Sequence, residues 1–259
     1  MIFSWLARRR RAAIRAQPPA DAWQEVTRTG LWQYARLPAE EQDRVRTDAA
    51  ILAAEKNWEG LGGVQVTEAV KLTVAAQVAL MTIGFPPLYF DRVPSILLEA
   101  GEYEAVDTTY TGGTMIRGRS SRLGEAHYRG PVKLSWPAVR RAGRSSNHGR
   151  HLVIHEFAHQ LDTLNGVGAD GNPVIESAAE ADRWSDVCDR SFEKLCRACE
   201  EGGRPLMDCY GATDRAEFFA VASEVFFQTP RDLHLRDRDL FEVLQMFYRQ
   251  DPLRWVPKT

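Results

Sequence analysis

No stretch of the chain has the apolar length of a membrane-spanning helix, and neither sign of charge dominates. A formal net charge of −2 over 259 residues argues against a general nucleic-acid binder, for which a strongly basic domain is expected. Cysteine is scarce and confined to Cys188, Cys196, Cys199 and Cys209. Cys196-x-x-Cys199 has no second such pair to complete a zinc site, and Cys188 and Cys196 lie in a helix-like stretch where free cysteine acts as a small apolar residue. The cluster therefore reads as thiols on or near a helix core, with structural zinc and a disulfide both disfavoured in a reducing cytoplasm. With 44% hydrophobic residues the chain can bury a substantial core without a staple, in one large domain or two small ones. No internal repeat is visible.

Basic charge is unevenly spread. Arg8, Arg9, Arg10, Arg11 and Arg15 fall in residues 1–16 with no acid, leaving 28 basic against 35 acidic side chains in the rest. Ile2, Phe3, Trp5 and Leu6 precede the arginines, the reverse of a secretory signal, in which charge comes first and a longer apolar run follows. A frayed, solvated terminus is a simpler reading than contact with a membrane surface. Residues 1–20 are thus expected to form a flexible basic segment and the ordered chain to begin at Asp21, after Pro18-Pro19. A cytoplasmic protein is expected, without stable membrane insertion or direct nucleic-acid binding.

What the chain does contain is His155-Glu156-Phe157-Ala158-His159, an H-E-x-x-H signature. On an α-helix two histidines four residues apart lie one turn above each other, so both imidazoles can reach one Zn²⁺. The glutamate beside the first is placed to act on a metal-bound water. Leu152, Val153 and Ile154 before it, and Leu161 and Leu164 after it, make the helix mostly apolar, and Asn165-Gly166 supplies a stop. Ordinary core or surface histidines are the competing reading. Three polar residues on a buried helix need a compensating partner, and a metal is the simplest.

Around the motif, residues 38–56 read as a charged amphipathic helix starting at Pro38, and residues 67–82 as a buried helix capped by Thr67. Leu88–Phe90 and Ser95–Leu98 look like short strands, residues 101–130 like turns and irregular loop, and Pro131–Trp136 like an alternating strand. A strand just ahead of a zinc helix suits either an exposed edge that binds a substrate backbone or an ordinary place within a sheet. Residues 165–173 form a loop, and helices are expected over 176–200, 214–228 and 237–250. The sum is an α+β protein with a small mixed sheet and a helix-rich C-terminal half.

A catalytic zinc with three protein ligands requires one more residue from elsewhere. Asp162, seven residues after His155, suits orienting a ligand better than binding the metal. Glu176 and Glu180 begin the next helix; Glu217 and Glu224 share one face of a later one, among Phe218, Phe219, Val221, Val225, Phe226 and Phe227. Asp214-x-x-Glu217 also fits a capping box, which would account for Glu217 without a metal. Spacing alone leaves these carboxylates open.

HEFAHQLDTLNG, YGATDRAEFFAVASEVFF and FYRQDP, with AWQE near the start and GPVKLSW before the zinc helix, resemble the Mlc titration factor A family of zinc peptidases over most of the chain. The resemblance implies a single zincin-like metallopeptidase domain over residues 21–259, similar to the catalytic domain of anthrax lethal factor, with cytoplasmic aminopeptidase-type activity. It implies His155, His159 and Glu217 as ligands of one catalytic Zn²⁺, Glu156 as general base and Tyr210 as a transition-state residue. Glu224 then becomes an acid that holds a histidine in its metal-binding tautomer. The implied partners are a peptide substrate and a transcriptional repressor of the Mlc type. The arginine run, the Thr/Gly/Ser/Arg-rich segment 108–125 and the cysteine cluster have no place in that pattern. A second functional reading is a mainly repressor-sequestering protein with slow or incidental hydrolysis.

Overall fold

The computed structural model describes residues 2–17, 19–101, 103–111, 114–122, 124–126, 130–146, 149–166 and 168–256, with the backbone alone for residues 2–4, 103–111, 114–122 and 124–126. Helix α1 (Ile2–Arg15) occupies what the sequence suggests is a flexible segment. Arg11 grips Glu55 with two hydrogen bonds of 2.8 and 2.7 Å, reaches Asp91 at 2.8 Å and lies over the Tyr89 ring, whose hydroxyl meets Arg15 at 2.6 Å. Arg11 is paired with acids, and Arg15 with a tyrosine hydroxyl, far along the chain, which a local count of charge cannot show.

A short helix α2 (Trp23–Glu25) runs through a π turn and a 3-10 turn into α3 (Ala39–Glu55), with Pro38 at its N-cap as its missing N–H permits. Strand β1 (Asn57–Leu61) follows, then α4 (Glu68–Thr82), where Thr67 accepts the Val70 N–H at 3.3 Å. Next come β2 (Ser95–Glu99), β3 (Tyr103–Thr111), β4 (Thr114–Arg122), β5 (Gly124–Ala126) and β6 (Val132–Ser135). The remaining elements are helical: α5 (Trp136–Arg144), α6 (Leu152–Asp162), α7 (Ala178–Glu200), α8 (Arg215–Gln228), α9 (Pro230–Arg236) and α10 (Arg238–Tyr248).

The main sheet has the order β1-β2-β6-β5, with β1, β2 and β6 parallel and β5 antiparallel. β3 and β4 pair separately as an antiparallel hairpin, from Tyr103 opposite Arg122 to Thr111 opposite Thr114. This is the expected α+β class with a small mixed sheet. Several details differ. Residues 101–130 hold a hairpin and β5 rather than irregular loop alone, and β6 lies between β2 and β5, so it is not an edge. Leu88–Phe90 is no strand: Phe90 has φ of 48°, left-handed backbone that a pleated strand does not admit. Its carbonyl accepts the Lys56 ammonium at 2.7 Å.

Helix α6 sits within the core, packed by α4, α8 and the sheet, with Val153, Ile154, Phe157, Ala158 and Leu161 buried. Helix α8 is apolar on nearly every side because it too is enclosed, and Phe226 and Phe227 stack against Tyr248 and Trp255 from the C-terminal elements. The cysteines are a second departure: Cys199 and Cys209 form a disulfide, while Cys188 is buried and free and Cys196 partly buried and free. After α7 the chain turns back through Gly202, at φ of 68°, and brings Cys209 beside the helix end. That pairing follows no helical spacing, so periodicity gives no sign of it. In the chain-entropy picture, closing a loop this short is worth roughly 3 kcal/mol.

Candidate metal centre

His151 occupies the N-cap of α6, where its Nδ1 accepts the Ile154 N–H at 3.3 Å. Burial pushes its pKa down to about 3, which keeps the ring neutral and able to accept. One turn on, His155 faces away from the core beside His159, with ring centroids 4.9 Å apart and planes nearly perpendicular. The four-residue spacing puts both rings on one face while the apolar residues between them hold the helix rigidly.

The third donor comes from α8. Asp214 caps that helix by accepting the Glu217 N–H at 2.9 Å, as a capping box would have it. The Glu217 side chain is not used to close the box. Its Oε2 lies 3.1 Å from His155 Nε2 and 3.5 Å from His159 Nε2, and its Oε1 accepts the Tyr210 hydroxyl at 3.2 Å. Glu224, two turns along α8, meets the other side of the His155 ring: its Oε1 lies 2.8 Å from Nδ1, and its Oε2 accepts the His151 N–H. A carboxylate at Nδ1 fixes a proton there and leaves Nε2 to face Glu217, the nitrogen that would give up its proton to take a cation.

Charge follows this geometry. Burial opposes a charged His155, yet hydrogen bonds to Glu217 and Glu224 and the nearby Glu156 hold its pKa well above the ordinary value. Burial likewise pushes the Glu217 carboxyl up, but His155 and His159 keep it far below the usual carboxylate range. Glu217 Oε2 and His159 Nδ1 are buried without a well-formed hydrogen bond. The donor atoms of His155, His159 and Glu217 all lie within 4.8 Å of one another, the one such group of three or more among the described residues. Ligands at about 2.0–2.1 Å from a tetrahedral centre stand roughly 3.3 Å apart, and the two Glu217 distances bracket that value. The residues fit a small cation.

Of the other candidates, Glu156 is buried on α6 beside His155 and Tyr210 is 42% exposed, on the solvent side of the group. Asp162 turns to the following loop, where its Oδ2 accepts the Gly171 N–H at 2.7 Å. Burial raises its pKa to about 6 despite that bond. Glu176 and Glu180 line a groove with Leu161, Leu164 and Met246 and take no part in the His–His–Glu group. His151 had no sequence signal beyond its place four residues before His155, at the helix start.

A family model described as glucose-regulated metallo-peptidase M90 matches residues 5–249. The chain is 32% identical over 247 residues to the Mlc titration factor A of Edwardsiella ictaluri, covering 93% of each. It is 31% identical over 243 residues to that of Serratia proteamaculans, covering 92% of this chain and 91% of the relative. An uncharacterized protein of Synechocystis is 26% identical over 239 residues, covering 92% of this chain and 86% of its own.

Proposed function

The chain belongs to the glucose-regulated metallo-peptidase M90 family, with the Mlc titration factors A among its relatives, and from this membership we propose that it is a zinc-dependent, aminopeptidase-like hydrolase of peptide bonds. The observation that carries the reading is the convergence of His155, His159 and Glu217 with Tyr210 on their solvent side. His155, His159 and Glu217 would hold one Zn²⁺, the donor set of a three-ligand catalytic site with one position left open. When bound, zinc would lower the pKa of a water to about 7 and polarise the scissile carbonyl.

The protein's own residues do the rest. Glu156 takes the proton of the attacking water and returns it to the leaving amine. Tyr210 exchanges its bond with Glu217 for one to the oxygen on which charge develops, a contact that grows in the transition state and so speeds the reaction. Glu224 keeps the His155 ring oriented. With β6 enclosed, the outer strand next to it, β5, has no further strand beside it among the described residues and would be the edge that takes an extended substrate backbone.

Zinc content and cleavage of a mixed peptide library by wild type, Glu156→Gln and Glu217→Ala test this reading. Glu156→Gln keeps one zinc per chain and loses at least about 100-fold in rate; Glu217→Ala loses the zinc. Cleavage by Glu156→Gln at the wild-type rate removes Glu156 as the base, and stoichiometric zinc in Glu217→Ala removes it as a ligand.

The relatives' name supports a second activity, binding of an Mlc-type repressor in the cytoplasm. In that reading sequestration is the main output and hydrolysis incidental. Full repressor binding by Glu156→Gln would favour it, and binding lost together with hydrolysis would count against it.

A further inference from the structure

Helix α1 is fixed to the protein by one side only. Ile14 packs against the core, Arg10 donates to the Ala54 carbonyl at 3.0 Å, and Arg11 holds Glu55 and Asp91. Trp5 lies about two and a half turns before Ile14 and therefore on the opposite side, 52% exposed, with Leu6 beside it at 50%. Arg8, Arg9 and Ala12 share that outer side and are exposed too. We propose that the outer side of α1 is a docking surface for an anionic lipid bilayer, which holds the protein at a membrane without crossing it.

Charge complementarity chooses the occupant. Residues 1–16 carry Arg8, Arg9, Arg10, Arg11 and Arg15 with no acid, and the two acids that pair with the helix, Glu55 and Asp91, are both taken by Arg11. Arg8 and Arg9 have no acid partner among the described residues; Arg9 lies over the Trp5 ring at 5.5 Å instead. An indole next to guanidinium groups suits the boundary of a bilayer. The ring enters between headgroups and acyl chains, while the arginine stems lie along it and their heads stay level with the phosphates. The rest of the chain carries 28 basic against 35 acidic side chains, so an anionic surface attracts this end and repels the body, which orients the molecule with α1 toward the lipid.

A preformed helix lowers the cost of this contact, because α1 is already wound and held by its inner side, and no segment has to order on binding. The contact is a weak one. Each arginine brought to such a surface adds about fivefold in affinity, and two of them with one tryptophan and one leucine give reversible association. No helix among the described residues is long and apolar enough to cross a membrane, which leaves a surface position as the mode of contact. The metal ligands lie on α6 and α8 while α1 packs on α3, so docking requires neither zinc nor hydrolysis.

The test sediments the full-length chain with vesicles of phosphatidylcholine alone or mixed with phosphatidylglycerol. Wild type should pellet with the anionic vesicles only and come off as salt is raised. The double variant Arg8→Glu, Arg9→Glu should bind at least about 25-fold more weakly, and Trp5→Ala, Leu6→Ala about tenfold more weakly. All four side chains are exposed, so circular dichroism and the melting temperature should stay at the wild-type values. Phosphatidylcholine brominated on its acyl chains, mixed with phosphatidylglycerol, should quench part of the tryptophan emission of wild type and none of that of Trp5→Phe, which still pellets. This pair decides the matter even if a double variant proves unstable. Wild type left in the supernatant with anionic vesicles overturns the proposal, as does undiminished binding by a folded Arg8→Glu, Arg9→Glu or equal quenching in Trp5→Phe. Binding to duplex DNA without binding to vesicles overturns it in favour of a nucleic acid.

Discussion

Glu224 serves two buried donors at once, the His151 amide and the His155 ring, so its removal should be felt in both stability and metal binding. Glu224→Ala leaves an enclosed N–H without an acceptor, a cost of about 1–3 kcal/mol. It also releases the imidazole that faces the metal position, for which a loss of roughly 10–100-fold in zinc affinity is expected. Competition against a chromophoric chelator measures the latter, and an affinity equal to wild type would show that Glu224 does not orient His155. A different residue gives the pH dependence. Burial lowers Lys56 from 10.5 to about 8, against the opposing pull of Asp91 and Glu55. The unfolded chain then holds a proton between pH 8 and 10.5 that the folded one has released, so stability rises with pH across that window. The full shift corresponds to on the order of 3 kcal/mol. Urea unfolding at pH 7.5 and 10.5 should show the stability of wild type gaining on Lys56→Met by up to that amount. A pH-independent difference between the two would mean that Lys56 titrates normally.

At the scale of elements, the start of α8 is where a cap and a metal site share a residue. Asp214→Ala removes the acceptor of the Glu217 N–H and should cost about 1 kcal/mol; loosening the first turn also moves the Glu217 carboxylate, so zinc affinity should fall with it. Asp214→Asn, which can still cap, should keep both, and equal zinc affinity in the alanine variant would uncouple cap from site. How far each element could be read from sequence follows from what specifies it. Helices α3, α4 and α6 were legible because their signals are local: Pro38, Thr67 and the run of apolar residues around His155 sit within the segments they define. Helix α9 was not: Pro230 closes the expected helix 214–228 and also stands at the first position of α9, so the same proline fits an end and a start, and the burial of Leu233 is visible only in the fold. The β3–β4 hairpin lacks the alternation of a half-buried strand, and the left-handed Phe90 has its carbonyl bonded both by the nearby Val93 amide and by the distant buried Lys56, a pairing that no local pattern shows. In the site, Glu217 and Glu224 share a helical face, so no count of residues could separate them. The fold does so by giving one the Nε2 side of His155 and the other the Nδ1 side.

For the whole molecule, the ligand set joins α6 to α8, two helices already packed through the core, and an ion there would bind the folded chain and not the unfolded one. Linkage then fixes the size of its effect: free zinc at about 1,000 times its dissociation constant stabilises the fold by roughly 4 kcal/mol. For a domain of this size about 1 kcal/mol moves the melting temperature by roughly 2–4 °C, so loading should raise it by about 8–16 °C and a chelator should reverse the gain. The apo protein should still melt cooperatively, because the aromatic cluster around Tyr248 closes the C-terminal core without help from the site. Glu217→Ala should melt at one temperature with or without zinc. Scanning calorimetry of both proteins at matched free zinc separates the possibilities: equal melting points for apo and loaded wild type would mean that the three donors do not hold an ion tightly. A zinc-dependent rise in Glu217→Ala would place the ion elsewhere in the chain, since the pair left on α6 alone offers one face of one helix.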